Sequence, residues 1–249
     1  MILLLGFFGS ITGFVSGFFG VGGGMLLVPL LLLAGFDMKD AVSISITQMV
    51  FSSIYGSFLN NQQNKTVLKD GLSIGIGGFI GGLLSGFIVP NVDGLYLKYL
   101  LTFIVILAIY RVFITSVDTT KNITYHNKYL LATVGFFVGI IAMSVGVGGS
   151  VMITPILVGY MYYNFKEASS LGLFFVVFSS IAGFVSLSYS GHMLYTQGFI
   201  VGLCSLVGVY FGIKVKNIIN IKSYKKFLLV LYIMILVSLL SDFLLKYTT

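Results

Sequence analysis

Gly20-Val21-Gly22-Gly23-Gly24, with Pro29 behind it, recurs as Gly146-Val147-Gly148-Gly149-Ser150, with Pro155 behind it, every position 126 residues further on. The correspondence continues downstream with one residue added. Phe51-Ser52-Ser53-Ile54 returns as Phe178-Ser179-Ser180-Ile181, and Gly71, Gly75 and Gly81 return as Gly198, Gly202 and Gly208, now at a spacing of 127. A single insertion near Lys166 accounts for the change. Three ordered blocks in one register mark a duplication, which divides the chain into a first repeat (1–117), a linker (118–127) and a second repeat (128–249).

Composition fixes the solvent. Of 249 residues, 57% are hydrophobic and 8% charged, and a mean hydropathy of +1.06 leaves a water-soluble fold nowhere to put its apolar surface. Apolar runs at 41–59, 71–90, 97–117, 168–190, 197–213 and 227–245 each approach or exceed the roughly 20 residues that cross a bilayer. They are apolar on every face, where a barrel strand would alternate. The expected fold is an all-α integral membrane protein of two homologous, inverted halves, each with a glycine-tipped re-entrant or broken helix plus three further transmembrane helices. Met1 to Phe8 lack a basic cluster, and no separate cleavage pattern follows, so the N-terminal segment reads as retained.

Other classes fall away. Cys204 is the single cysteine, so neither a disulfide framework nor a thiolate metal site forms within one chain. The net charge of +7 comes from lysines at helix ends, not from a nucleic-acid-binding surface. No tryptophan is present, so Tyr96, Tyr99, Tyr125, Tyr129, Tyr162, Tyr163, Tyr224 and Tyr247 are expected at the membrane interfaces. His192 follows Gly191 in a loop and His126 lies in the linker. Both read as solvated. No buried carboxylate, histidine pair or Cys/His combination points to catalysis, and the glycine cluster lacks the lysine of a nucleotide loop. No enzyme activity, cofactor or metal is expected.

Charge decides between two topologies. Residues 1–36 would make a straight helix about 54 Å long, against a hydrocarbon core of ~30 Å. The block must break, and Gly20 to Gly24 is the place, because consecutive glycines weaken a helix and permit a turn. Met25 to Phe36 would then reach about 18 Å, a half-helix and not a crossing. Lys128 to Tyr163 repeats the pattern. If each block is a broken crossing helix, the fourteen basic residues divide eight to six. If each is a re-entrant hairpin, Lys65, Lys69, Arg111, Lys121, Lys128, Lys166, Lys214, Lys216, Lys222, Lys225 and Lys226 share one side, against Lys39, Lys98 and Lys246. The second division follows the positive-inside rule and favours hairpins, with both termini outside; Lys98 and Lys214 are candidates to snorkel.

Two hairpins entering from opposite sides bring their glycine tips together at mid-membrane, where irregular backbone survives only if protein, water or ligand satisfies it. Half-helices starting near Met25 and Val151 present N-terminal amides and positive dipole ends, an arrangement that favours an anion. Gly22, Gly23, Gly24, Gly148, Gly149 and Ser150 are the candidate binding residues, with close helix packing by small residues as the competing role. Ser45, Gln48, Ser52 and Ser53 follow the first hairpin, and Ser179 and Ser180 the second, where hydroxyls can donate to an oxyanion or bond between helices. Asp37, Asp40, Asp70, Asp93, Asp118, Glu167 and Asp242 all lie in loops or near helix ends, which weakens a cation substrate or an embedded proton relay.

The paired glycine motifs with their prolines, and the glycines at 71, 75, 81 and 198, 202, 208, resemble the sulfite exporter TauE/SafE family over nearly the whole chain. The resemblance implies a plasma-membrane carrier of small sulfur-containing anions such as sulfite, sulfonates or sulfoacetate. Ser150 stands where the family usually has the third glycine of the second motif. The sequence reading is therefore a secondary transporter working by alternating access, with an anion channel or a carrier of another small organic anion as alternatives. Substrate identity, direction of transport, a coupling proton or sodium ion, and assembly as monomer or homodimer are left open.

Overall fold

The computed structural model describes residues 1–60, 65–114, 127–163, 165–218 and 221–248. Its elements are α1 (Ile2–Phe19), α2 (Gly24–Leu33), α3 (Met38–Asn60), α4 (Lys65–Leu83), α5 (Ser85–Asn91) and α6 (Gly94–Ile114) in the first half. The second half supplies α7 (Lys128–Val145), α8 (Ser150–Tyr160), α9 (Phe165–Tyr189), α10 (Tyr195–Ile218) and α11 (Ile221–Thr248). No strand occurs among the described residues. Seven segments there are long and apolar enough to cross a membrane, whereas α2 and α8 are shorter apolar helices of 10 and 11 residues. The 28-residue α11 covers the apolar run at 227–245. The protein is a multi-pass membrane protein. Most of the linker, with Asp118, Thr119, Lys121, Tyr125 and His126, lies outside the described residues.

Glycine punctuates both hairpins. α1 and α7 end on Gly20 and Gly146, each with φ 70°, in the left-handed conformation that only glycine adopts without strain. α7 begins on Asn127, whose side-chain oxygen accepts from the amides of Tyr129 and Leu130. Pro29 and Pro155 each fall at the sixth residue of their half-helix and remove the bond that would close on the carbonyl four residues back.

Helix direction follows from which residues meet. On α1, Gly9, Gly13 and Gly17 pack against Val201, Ser205 and Val209 of α10, so the two helices run in the same sense. Thr47 and Phe51 of α3 meet Gly198 and Gly202, and Ser43 Oγ accepts from the Leu194 amide, so α3 also runs with α10. α1 and α3 are therefore parallel, and the chain between them, α2 included, must double back. The second half is built likewise. Ile74 and Gly78 of α4 meet Gly135 and Gly139 of α7, and Gly71 and Gly75 meet Phe174 and Phe178 of α9. Ile46 packs against Gly183 and Gly56 against Leu173, which makes α3 antiparallel to α9 and hence α1 antiparallel to α7.

These approaches are close because the residues are small. A Cβ added at Gly13 would lie 2.7 Å from the Ser205 Cα, inside contact distance. In lipid, where no hydrophobic drive separates helix from solvent, such backbone-to-backbone packing is what holds spanning helices together.

Candidate functional site at the paired glycine tips

Both tips are fully buried. Left-handed backbone occurs at matched positions: Gly20 and Gly146, Gly22 (φ 81°) and Gly148 (φ 76°), Gly23 (φ 75°) and Gly149 (φ 42°). The tips touch each other. A Cβ at Gly148 would lie 2.9 Å from the Val21 carbonyl oxygen and 3.6 Å from the Gly22 Cα, and one at Gly24 would collide with the Gly146 carbonyl oxygen.

Each tip rests against the middle of the long helix that follows the other hairpin or its own, and the contacts exchange between halves. Gly22 faces Val176 and Gly148 faces Met49, residues 127 apart. Gly20 faces Ser169 and Gly146 faces Val42, again 127 apart. Gly23 faces Gln48 and Gly149 faces Phe175, the same relation once more. Met49, Val176 and Phe175, all buried, are tip contacts that residue chemistry alone gave no reason to single out. The repeat register carries the signal that finds each from its partner.

The third motif position explains Ser150. Neither Gly24 nor Ser150 has positive φ, since both begin a helix. In the first half Gly24 faces Ser45, and in the second Ser150 faces Gly172, the position 127 beyond Ser45. Small and larger residues have changed places across one contact, so the packing is kept. Ser45 uses its hydroxyl structurally, donating to the Gly146 carbonyl at 2.7 Å and pinning the second tip to α3.

The candidate residues divide by what their polar atoms already do. Ser52 Oγ lies 3.4 Å from the Gly22 carbonyl and donates there or to Met49. Ser179 donates to Phe175 and Val176, and Ser180 to Val177, all within their own helix. Ser179 turns its backbone towards Gly82 of α4. Gln48 differs. It is 0% exposed, both its Nε2 and Oε1 lack any partner, and these atoms lie 2.7 and 2.9 Å from where a Gly23 Cβ would stand. The hydroxyls of Ser150 and Ser53 are also buried without partners. Gly22, Gly23, Gly24, Gln48, Ser52 and Gly148 thus converge; Gly149 faces Phe175 and Val138, and Ser150 faces Gly172.

Among the described residues, the buried charged groups lie elsewhere. Lys98 of α6 and Asp242 of α11 form a buried ion pair, so Lys98 does not snorkel. Asp70 at the start of α4 is 5% exposed and accepts from the Tyr163 hydroxyl at 2.9 Å. Two carboxylates near helix ends are therefore buried, contrary to the expectation from their position, because neighbouring helices cover those ends. Tyr163 is likewise a buried partner and not an interfacial anchor, whereas Tyr96 and Tyr129 are well exposed. Burial and the Asp70 carboxylate push the Tyr163 phenol above its usual range. Lys214 sits over the Tyr210 ring at 4.5 Å. Lys216 reaches Ser169 Oγ, which donates to the Phe19 carbonyl at the C-terminal end of α1, where a cation complements the dipole.

Residues 4–239 match the sequence profile of the sulfite exporter TauE/SafE family. The chain belongs to that family. Relatives with similarity across the chain include the probable membrane transporter protein YdhB of Bacillus subtilis (strain 168), 24% identical over 88% of this chain and 91% of its own length. The probable membrane transporter protein ORF9 of a Sinorhizobium species is 24% identical over 93% of this chain and 89% of its own. A shorter stretch of 48 residues is 48% identical to the probable membrane transporter protein MJ0441 of Methanocaldococcus jannaschii, covering 19% and 18% of the two chains. No solved structure matches the chain. As a TauE/SafE member it is a membrane transporter and not an enzyme.

Proposed function

We propose that the protein is a secondary transporter of small sulfur-containing anions in the plasma membrane, binding its substrate between the two glycine tips and exposing it alternately to each side. The observation that carries this reading is the meeting of two buried, left-handed glycine tips, each opening a half-helix, beside a buried carboxamide with no partner. Half-helix N-termini aimed at a buried point favour negative charge, and unsatisfied polar groups there require a ligand or water. The family description supports the sulfur chemistry.

Residues 1–117 and 128–249 are read as inverted repeats. The exchange of contacts at a constant offset and the opposed directions of α1 and α7 support this. With the basic residues on the cytoplasmic side, both termini lie outside. In this conformation the tips and Gln48 are sealed from solvent, so alternation requires one hairpin to move away from the other.

Flux of radiolabelled sulfite into proteoliposomes tests the reading. A carrier saturates and shows counter-transport, while flux that simply follows the electrochemical gradient identifies a channel. Absence of flux for sulfite, a sulfonate and sulfoacetate alike in this assay refutes the substrate class. For sidedness, a cysteine replacing Thr119 in a Cys204→Ser background is expected to react only from the cytoplasm; labelling from outside refutes the orientation.

A further inference from the structure

We infer that the site selects a singly charged oxyanion that still carries one proton, and that Gln48 is the residue that reads this proton. The inference rests on the tip-to-tip site proposed above and narrows its substrate class. Hydrogen sulfite is the sulfur member of that class; sulfonates, sulfoacetate and the sulfite dianion are outside it.

The first ground is charge. The N-termini of α2 and α8 each carry the equivalent of about half a positive charge, so together they offset about one negative charge. Among the described residues the buried charged side chains are Asp70, Lys98 and Asp242, and these pair with Tyr163 and with each other, away from the tips. The C-terminal ends of α1 and α7 also close on the tips and carry the opposite half-charges, which the charge of Lys216, reaching Ser169 beside Gly20, offsets. A dianion at the tips would bring a second charge into a buried place with nothing to offset it.

The second ground is the hydrogen-bond inventory of Gln48. A carboxamide offers two N–H donors and one carbonyl acceptor. At Gln48 both ends are buried, both are unpaired, and both lie against the Gly23 tip. Because both ends are unpaired, the argument is the same whichever way the amide is turned. An oxyanion without a proton satisfies the N–H groups and leaves the carbonyl orphaned. One that carries a proton satisfies both ends at once, and a buried polar group left unpaired is what such sites discriminate against most strongly. Phe175 occupies the corresponding place at Gly149, so only one of the two repeat-related positions makes this demand.

The test is anion binding to the full-length protein in lipid nanodiscs, using sulfite, sulfate and methanesulfonate over a pH series spanning the ionisation of hydrogen sulfite. Methanesulfonate is a monoanion that does not titrate there, so it reports any change in the protein itself. The expected result is that apparent sulfite affinity, at fixed total sulfite, falls about tenfold per pH unit above that ionisation. Below that ionisation, sulfate and methanesulfonate should bind at least about tenfold more weakly than sulfite, the loss of one matched buried hydrogen bond or charge. Gln48→Met, which keeps the shape and removes the polar ends, should lose at least about tenfold in sulfite binding and bring sulfite and methanesulfonate together. Sulfite affinity independent of pH, or methanesulfonate or sulfate binding as tightly as sulfite below that ionisation, overturns this inference and leaves the tip site standing. Gln48→Met binding like wild type also overturns it. No binding of any anion at any pH overturns the tip site as well. The wild-type pH series decides the matter even if the variant fails to fold.

Discussion

Gly23→Ala is the sharpest perturbation of the tip, because the molecule contains its own control. Gly23 and Gly191 share φ 75°, but a Cβ at Gly191 meets nothing within 4 Å, whereas one at Gly23 meets Gln48 Nε2 at 2.7 Å, Gln48 Oε1 at 2.9 Å and the Thr12 carbonyl oxygen at 2.9 Å. The left-handed conformation costs an alanine about 1–2 kcal/mol at either position. Gly23→Ala carries in addition the overpacking of a buried contact, typically about 1–3 kcal/mol, for a total of about 2–5 kcal/mol. Unfolding free energies of Gly23→Ala and Gly191→Ala, measured by reversible denaturation in mixed micelles, should therefore differ by about 1–3 kcal/mol. Adding Gln48→Ala to Gly23→Ala should return part of that difference, since two of the three crowded atoms are removed while the Thr12 carbonyl remains. Equal costs for Gly23→Ala and Gly191→Ala would refute the close seating of Gln48 against the tip, and with it the geometry on which the binding site depends.

Ser45→Ala should cost about 1–3 kcal/mol in the same assay, because it leaves the buried Gly146 carbonyl without its donor; a neutral effect would mean the second tip is not held by α3. Lys98→Met or Asp242→Leu alone should destabilise by about 3–5 kcal/mol, and the double variant should recover most of the loss, since an unpaired buried charge costs more than the pair contributes. Additive losses would contradict the pairing. The raised Tyr163 phenol gives a pH signature: its contribution is fully present below the ordinary tyrosine pKa of about 10 and declines as pH rises above it, because the unfolded chain ionises first. Tyr163→Phe should lack that component of alkaline destabilisation, and an identical profile in both proteins would count against the Asp70 contact. Gly13→Leu should prevent α1 from seating on α10 and abolish recovery of folded protein from detergent, whereas exposed Gly35→Leu, with open space at its Cβ, should still yield folded protein.

The sequence by itself determined the solvent and the break points, and its repeated motifs suggested a division into two halves. Composition admits only a membrane setting, the 126- and 127-residue offsets register the halves, and left-handed turns at Gly20, Gly22 and Gly23 with their counterparts are legible because few other residues tolerate positive φ. Gln48 and Ser52 were singled out by chemistry and do reach the first tip, while Ser179 spends its hydroxyl on its own helix. What only the tertiary structure decided is which helices pair and which faces they bury. α1 packs along α10, a segment some 190 residues away, and Asp70 and Asp242 lie buried although the chain places them near helix ends. The physical reason is the solvent itself: a helix in lipid is apolar on its buried and exposed faces alike, so no periodicity in the sequence distinguishes them. The Ser45/Gly24 and Gly172/Ser150 exchange was hidden for a related reason, since complementary volumes become visible only when both sides of the contact are known.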